Sequence, residues 1–535
     1  MRNIYSPADI EKVLDSILGS SADSERPDGA ELDAAIARRA EFIGAVGRAC
    51  ASEVLRERAD SGAKVVVFAG DAINGAYAME TAIALHQSGC RAEVYLINIG
   101  GNLLKPDTKA ARERFLEAAG SEYLFETVDL RVLLPEMTPE MIVVDGLFGR
   151  EYKAPLRGGY QAMARLINEK GAKVISIDLP SGMSPELSVG MINRNIVHAN
   201  LTLTLVGPTL AFYMPENAEL LGRWKVLPLP YPREVLKSIK CSSRLVDGNG
   251  IRAVLPRRSP FASKADLGSA LIYAGSYGML GAAVLAARGA LRSGCGKVTV
   301  HSARCGYYVL QTAVPCAMFE TDGGDMDIRH FESGVEADAI GVGPGIGRSE
   351  GTVQGLEQLL KAMSAAKQPL VIDADALNCI ALRPSMLDFI PPRSVLTPHA
   401  GEFDRIFGPQ PSSSARLLKA IEVSTRYQIV IVLKGHYTQT VWPGGSVAVN
   451  SSGTEALATA GSGDVLTGLL TGLIAQHIKP EIAAVAAVYI HGIAGHMAAE
   501  ENGIAGTTAE DISTAVGPAI EAILHTPAAS KTPST

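Results

Sequence analysis

The chain has few cysteines, no long basic block and no uninterrupted hydrophobic run at its start, and each shortage removes a class of function. Its seven cysteines, Cys50, Cys90, Cys241, Cys295, Cys305, Cys316 and Cys379, are odd in number and scattered, with no CxxC pair. Neither a disulfide framework nor a zinc site is expected, and a reducing, cytoplasmic setting is. The formal net charge is −7 without a Lys/Arg cluster, so there is no electrostatic footprint for nucleic acid. The opening MRNIYSPADIEKVLDSILGS mixes charges into its apolar pattern, which does not suit an export signal. The stretch AAVAAVYIHGIAGHMAA from Ala483 carries His491 and His496 and suits a packed helix better than a membrane span. A soluble protein with no membrane or nucleic-acid partner is expected.

What is present is ample apolar material. With 535 residues and 47% hydrophobic content, at least two domain cores are expected. Ile36, Ala40, Ile43, Val46, Cys50 and Val54 recur every three or four residues, which predicts a helical opening between Ile10 and Arg58. Short β-branched runs ending in turn formers follow: KVVVFAG from Lys64, AEVYLIN from Ala92, MIVVDGLFG from Met141, KVISIDLPSG from Lys173 and LTLTLVGP from Leu201. Helical segments between them complete the pattern of a parallel sheet covered on both faces, an N-terminal Rossmann-like three-layer α/β domain. Prolines and turn residues concentrate between Val226 and Gly250, placing a boundary near residue 240. A second α/β series then runs through SALIYAGS from Ser269, GKVTVHS from Gly296, ADAIGVGPG from Ala337, PLVIDADAL from Pro369, RSVLTPHAGE from Arg393 and IVIVLKG from Ile429. The expected division is 1–240, 241–526 and a polar, disordered tail over 527–535.

Polar and glycine-rich residues gather at the carboxyl ends of the second series, the edge where open α/β sheets bind ligands. The most informative stretch is LATAGSGDVLTGLLTGLIAQ from Leu457. Gly461 and Gly463 let the backbone approach a ligand, the start of the next helix suits an anion, and Asp464 beside it could take a proton from an attacking hydroxyl. An ordinary helix start with an acidic first turn fits the same residues. GVGPGIG, from Gly341, suits a bound phosphate or sugar, or is a plain turn. Where a strand meets a helix, His399 could donate to a ligand and Glu402 could hold a metal-bound water. Lys434 in KGHYT could meet nucleotide phosphates, or face solvent. Asp373 and Asp375 fall on one side of an extended segment, placed to influence Mg²⁺ or phosphate, or to cap a turn.

Taken in order, GSYGMLGAAVLAARGALRSGCGKVTV from Gly275, GVGPGIG, DADALN, TPHAGEFDRIFG, VLKGHYT and TAGSGDVLTG resemble the carbohydrate-kinase-like family of NAD(P)H-hydrate dehydratases over nearly the whole second half. The resemblance implies a C-terminal ribokinase-like three-layer α/β fold, ADP or ATP with Mg²⁺, and dehydration of the S form of NAD(P)H hydrate. In that family the errant hydroxyl is phosphorylated, and loss of phosphate restores the nicotinamide double bond. By motif, Lys434, Gly435, His436, Tyr437, Thr438 and Gly463 would contact the adenine nucleotide. Ala282, Gly345, His399 and Asp464 would line the hydrate site, with Asp464 the base. The alternative is a kinase of a small hydroxylated metabolite, with a non-catalytic binding or oligomerisation domain before it. A homo-oligomer is expected by analogy of fold.

The first half is similar to NAD(P)H-hydrate epimerase, the usual fusion partner, so the whole chain resembles the bifunctional repair enzymes. Its loop GDAINGAYA, from Gly70, corresponds to one reading approximately GPGNNGGDG, with Asn74 and Gly75 retained, Ile73 in place of asparagine and Tyr77 in place of the acid. VVDGLFGREYKAP from Val143 and SIDLPSGM from Ser176 resemble the remaining site motifs. The resemblance implies K⁺ held by Asn74, Asp145 and Ser181, which are hard donors suited to an alkali cation. It implies a hydrate site of Asn74, Gly75, Gly149, Arg150, Glu151, Tyr152, Lys153, Ala154, Pro155 and the catalytic Asp178. Because Tyr77 replaces the acid, three readings stay open: Asp178 suffices, the domain binds without turnover, or it uses a shifted site.

Overall fold

The computed structural model describes residues 1–19, 30–58, 62–99, 101, 103–127, 135, 137–151, 156–187 and 195–526. The expected tail over 527–535 and residues 152–155 of the candidate epimerase loop lie outside these. The chain forms two compact units, one of Ile4–Cys241 with Ser412–Ser414, the other of Met1–Asn3, Ser242–Pro411 and, among the described residues, 415–526.

In the first unit all five anticipated runs form strands, Val65–Ala69, Ala92–Ile97, Ile142–Gly146, Lys173–Ile177 and Leu201–Thr204. They lie in a seven-stranded sheet, with Leu124–Thr127 added beside Ala92–Ile97 and Arg223–Val226 beside Leu201–Thr204. The strand pairs are parallel. Successive side chains of a strand face opposite ways, so Val65, Val67 and Ala69 enter one core and Val66 and Phe68 the other. Both faces are therefore covered, as continuous apolar strands require. The helix Ala30–Arg58 buries Ile43, Val46, Cys50 and Val54, but Ile36 is 57% exposed. The expected apolar stripe thus reaches the core only from Phe42 onward. Ahead of it, Pro7–Leu18 begins with a Ser6/Asp9 capping box and buries Ile10, Val13 and Leu14.

In the second unit the six anticipated runs form the parallel centre of an eleven-stranded sheet, in the order Val430–Leu433, Val395–Leu396, Leu370–Ile372, Ala339–Val342, Ser269–Tyr273, Lys297–His301. Met318–Glu320 extends one side. The hairpin of Gln439–Val441 and Val447–Val449, then Ser243–Leu245 and Arg2–Ile4, extend the other. Helices Ser462–Ala475, Pro480–Asn502 and Ala509–His525 share a core with Val371, Val395 and Val430. By length and composition Pro480–Asn502 could cross a membrane, but Ala483, Ala487, His491 and Ala494 are buried within this unit.

One helix crossing positions the site. Ser462–Ala475 lies so close to Leu280–Arg292 that a Cβ at Gly468 would fall 1.8 Å from the Ala286 carbonyl oxygen, and one at Gly289 2.3 Å from that of Val465. Glycines at both crossing points fix where the Ser462 helix begins, and Asp464 is in its first turn.

Candidate functional site

Strand carboxyl ends in the second unit open onto a cavity of about 660 Å³ whose lining includes Asp373, Glu402, Lys434, Gly463, Asp464 and His491. Asp373 follows Leu370–Ile372 and is 1% exposed. Its Oδ1 accepts from Lys434 Nζ at 2.9 Å, and its Oδ2 from Thr467 Oγ1 at 2.6 Å. Lys434 Nζ also lies 3.8 Å from Glu402 Oε2. Burial alone would push the Lys434 ammonium down, but the charges of Asp373 and Glu402 outweigh it and hold it above its ordinary range. Lys434 is thus a held cation at a strand end.

Asp464 is pushed up to about 7, first by burial and then by the Asp373, Asp375 and Glu402 charges, with Lys434 opposing. A carboxyl poised near neutrality can both take and return a proton. A Cβ on Gly463 would stand 3.4 Å from Lys434 Nζ, so the glycine loop lies directly against the ammonium. Beneath it, Ser462 Oγ is 3.2 Å from His491 Nε2, and burial lowers that imidazole to about 4.

The idea that Asp373 and Asp375 share one side of an extended segment is corrected here. The strand ends at Ile372 and a helix, Ala374–Leu382, begins at once, so the two-residue period stops between the carboxylates. Asp373 turns to Lys434 and makes no cap bond, whereas Asp375 Oδ2 accepts from Gly347 N at 3.1 Å.

His399 caps Ala400–Phe407. Its Nδ1 accepts from Gly401 N at 3.0 Å and Glu402 N at 3.4 Å, while Glu402 Oε2 accepts from His399 N at 2.9 Å. With Nδ1 engaged as an acceptor, the ring donates through Nε2, which lies 3.5 Å from Glu402 Oε1. Gly435, His436 and Thr438 join Lys434 in the cavity wall, and Tyr437 packs edge-on against His436 with ring centroids 4.7 Å apart. Gly345, at φ +62°, lies against Met279 and Ala282. These residues stand outside the lining of this cavity, next to the Gly347–Asp375 contact. Sequence reading missed Thr467 and His491. Thr467 sits three residues beyond Asp464 on the same helix, and that spacing is the signal that would have found it.

The first unit carries a cavity of about 360 Å³ whose lining includes Arg39, Asn74, Tyr77, Arg150, Glu151 and Asp178. Asp178 follows Lys173–Ile177 at φ +68°, a strained conformation for a residue with a side chain. Arg150 grips it in a fork, Nε donating to Oδ2 at 2.5 Å and Nη2 to Oδ1. Both partners are buried, at 9% and 3% side-chain exposure. Tyr77 is buried, and its phenol is pushed well up by burial and by Asp178, so it remains a neutral hydroxyl. Desolvation and the Asp178 charge raise the Glu151 carboxyl as well.

Asp145 is buried at the end of Ile142–Gly146. Its Oδ2 accepts from Ser176 Oγ and Ser181 N, each at 2.8 Å, and its Oδ1 from Ser181 Oγ at 2.6 Å. Burial raises its carboxyl in spite of these bonds. Asn74 is 1% exposed, and neither amide atom has a partner among the described residues. Its side chain lies against Gly149, at φ +57°, where a Cβ would stand 3.0 Å away. Gly75, expected in the hydrate site, is buried under the loop, because a Cβ there would meet Gly70 O at 2.0 Å. The sequence reading also missed Glu11 and Asp15, which reach this cavity four residues apart on one helix.

Comparison with known proteins follows the same division. Residues 270–517 match the family model described as NAD(P)H-hydrate dehydratase, and residues 39–211 the one described as YjeF-related protein N-terminus. The chain is 31% identical over 465 residues to a bifunctional NAD(P)H-hydrate repair enzyme of Moorella thermoacetica, covering 84% of this chain and 86% of the relative. It is 32% identical over 475 residues to one of Salinibacter ruber, with coverages of 84% and 86%. It is also similar to the crystal structure of the Bacillus subtilis ADP/ATP-dependent NAD(P)H-hydrate dehydratase co-crystallized with ATP/Mg²⁺. There the identity is 32%, the TM-score 0.47 and the coverage 52% of this chain and 98% of that one.

Proposed function

The chain belongs to the family of bifunctional NAD(P)H-hydrate repair enzymes, and from that premise we propose how its two units divide the work. Its activity is repair of the nicotinamide cofactor, the ADP- or ATP-dependent dehydration of the S hydrate back to NAD(P)H. We assign dehydration to residues 241–526 and interconversion of the R and S hydrates to residues 1–240.

The observation that supports the dehydratase assignment best is Asp464, a carboxyl raised to about 7 beside a held ammonium in a large cavity. The hydroxyl of the hydrate loses its proton to Asp464 as its oxygen attacks the terminal phosphoryl group. Lys434 and backbone N–H groups in the first turn of the Ser462 helix stabilise the charge on the transferring group. The ring nitrogen's lone pair then expels phosphate, and loss of the neighbouring proton restores the double bond. Lys434, Gly435, His436, Tyr437, Thr438 and Gly463 take the nucleotide. Ala282, Gly345 and His399, donating through Nε2, take the hydrate.

Mg²⁺ is commonly held by one or two carboxylates together with phosphates and water. Asp373 is committed to Lys434 and Thr467 and Glu402 Oε2 to His399 N, so Glu402 would reach the ion only through water. Among the described residues there is no group of three acidic, His or Cys side chains for a protein-only site. The ion supplies charge neutralisation on the phosphates. In the first unit the unpartnered Asn74 amide, Asp145 and Ser181 fit the K⁺ donor set, and K⁺ supplies a fixed positive charge there. A cytoplasmic homo-oligomer is proposed from the cysteine pattern and fold analogy, with light scattering as the check of assembly.

A kinase releasing a stable phosphorylated metabolite is not favoured, since relatives matched over 84% of the chain are hydrate repair enzymes. The test supplies separated S and R hydrates with ADP or ATP and follows recovery of reduced-nicotinamide absorbance. Consumption of the S hydrate with phosphate release is expected. If neither hydrate is consumed with either nucleotide, the reading fails.

A further inference from the structure

The N-terminal cavity holds two carboxyl groups in unlike settings. Both oxygens of Asp178 are occupied by the Arg150 fork, and Arg150 N adds a third contact at 3.3 Å. With both oxygens taken up in this way, the Asp178 carboxylate holds the guanidinium in place and has no oxygen free of it to turn to a ligand. Tyr77, on the Ile73–Gln87 helix, is buried with its phenol far above the neutral range, so it gives up no proton near neutral pH. Asn74, lining the same cavity, has an amide with no partner among the described residues, which marks a place for a ligand.

Resting on the epimerase assignment, we infer that Glu151 is the proton-transfer group of the N-terminal centre, working beside a fixed Arg150–Asp178 pair. Glu151 lines the cavity with Asn74 and Asp178 and ends a short 3-10 turn, Gly149–Glu151. The neighbouring guanidinium groups are committed elsewhere, Arg150 to Asp178 and Arg39 to Asp107. Desolvation and Asp178 push the Glu151 carboxyl up, while the Ile73 N–H, Lys105 and Arg39 pull it down, with a net rise. Among the described residues, Glu11 and Asp15, on the Pro7–Leu18 helix, are the remaining charged groups lining the cavity. Of the two carboxyl groups, Asp178 is engaged by the Arg150 fork, which leaves Glu151 as the one facing the cavity without a guanidinium partner.

The step balances without any further reactant. The protonated Glu151 carboxyl gives its proton to the hydroxyl on the hydrated ring carbon. The C–O bond breaks, its electron pair leaves with water, and the ring nitrogen's lone pair forms a planar iminium. Water adds to the opposite face, forming a new C–O bond, and the proton it loses returns to Glu151 through water in the cavity.

The full chain is supplied with R hydrate, ADP or ATP and Mg²⁺, so that dehydration by the second unit reports each epimerisation event. Glu151→Gln should slow conversion of the R hydrate by about 10²-fold or more, and Glu151→Asp should restore part of the rate with a displaced pH profile. Far-UV circular dichroism and melting of the same variants serve as the folding control of the first unit, and direct dehydration of S hydrate shows that the reporting reaction is intact. Wild-type epimerisation rates in Glu151→Gln would overturn the role of Glu151. If the wild-type chain converts R hydrate no faster than the protein-free solution, the epimerase assignment itself falls and this inference with it.

Discussion

At the scale of single residues, the chemistry of the second unit turns on Asp464 and Lys434. As the base, Asp464 must be ionised, so dehydration should rise with pH along a limb centred at about 7, measured as kcat/KM for S hydrate. Asp464→Asn should lower the rate by roughly 10²–10⁴-fold while nucleotide binding, set by Lys434 and its turn, persists in equilibrium titration. Turnover retained by that variant would end the proton-abstraction role. The same shift has a stability consequence. A carboxyl whose folded value lies near 7 and whose ordinary value is 3.8 costs native stability once pH exceeds the ordinary value, and the cost is complete above the folded one. Asp464→Asn should therefore melt above wild type at pH 8, with the difference vanishing toward pH 4. Lys434 has the opposite character. Lys434→Met leaves Asp373 buried without its cation, a cost of ~3 kcal/mol, near the low end for such pairs because the lysine side chain is 21% exposed. Adding Asp373→Asn should recover much of that stability in denaturant titrations without restoring nucleotide affinity. Failure of the double variant to recover would mean that Asp373 is not the group Lys434 neutralises.

At the scale of elements, the site depends on where one helix begins. A methyl group at Gly468 meets the Ala286 backbone at 1.8 Å, and backbone cannot rotate away as a side-chain end can. Gly468→Ala should therefore force the Ser462–Ala475 and Leu280–Arg292 helices apart. An overpacking loss of ~1–3 kcal/mol and a drop in dehydration are expected, whereas Gly281→Ala, which meets nothing within 4 Å, should melt close to wild type. Equal melting of the two variants would remove the crossing as the device that places Asp464. The central strands of both sheets were legible because most of their runs are continuous, β-branched and closed by glycine, proline or another turn former. The edge strands were not, because Arg223–Val226 is polar and partly exposed and Leu124–Thr127 has a largely exposed face, so neither shows the apolar run of a covered strand. The loop carrying Asp464 could be read as a helix start from its glycines. The Lys434–Asp373–Thr467 contact could not, since its members lie 61 and 94 residues apart and only the sheet order brings them together. The Arg150–Asp178 fork was hidden for the same reason, and it changes what Asp178 can do.

At the scale of the whole molecule, two activities in one chain make each the assay of the other. Asp464→Asn blocks dehydration in the second unit and touches nothing in the first, so the full-length variant should interconvert R and S hydrates without consuming them. Chromatographic separation of the epimers over time would then show the pure R hydrate relaxing to a mixture, with no return of reduced-nicotinamide absorbance. Because the Asn74, Asp145 and Ser181 oxygens are proposed for K⁺, replacing K⁺ by a larger organic cation that cannot enter should slow this relaxation. Dehydration of S hydrate by the wild-type chain should stay as it was. Equal slowing of both reactions would point to a general salt effect and remove the N-terminal cation site. Relaxation at the protein-free rate in every buffer would instead identify the first unit as a binding module, in which Tyr77 and the closed Arg150–Asp178 pair have replaced catalysis.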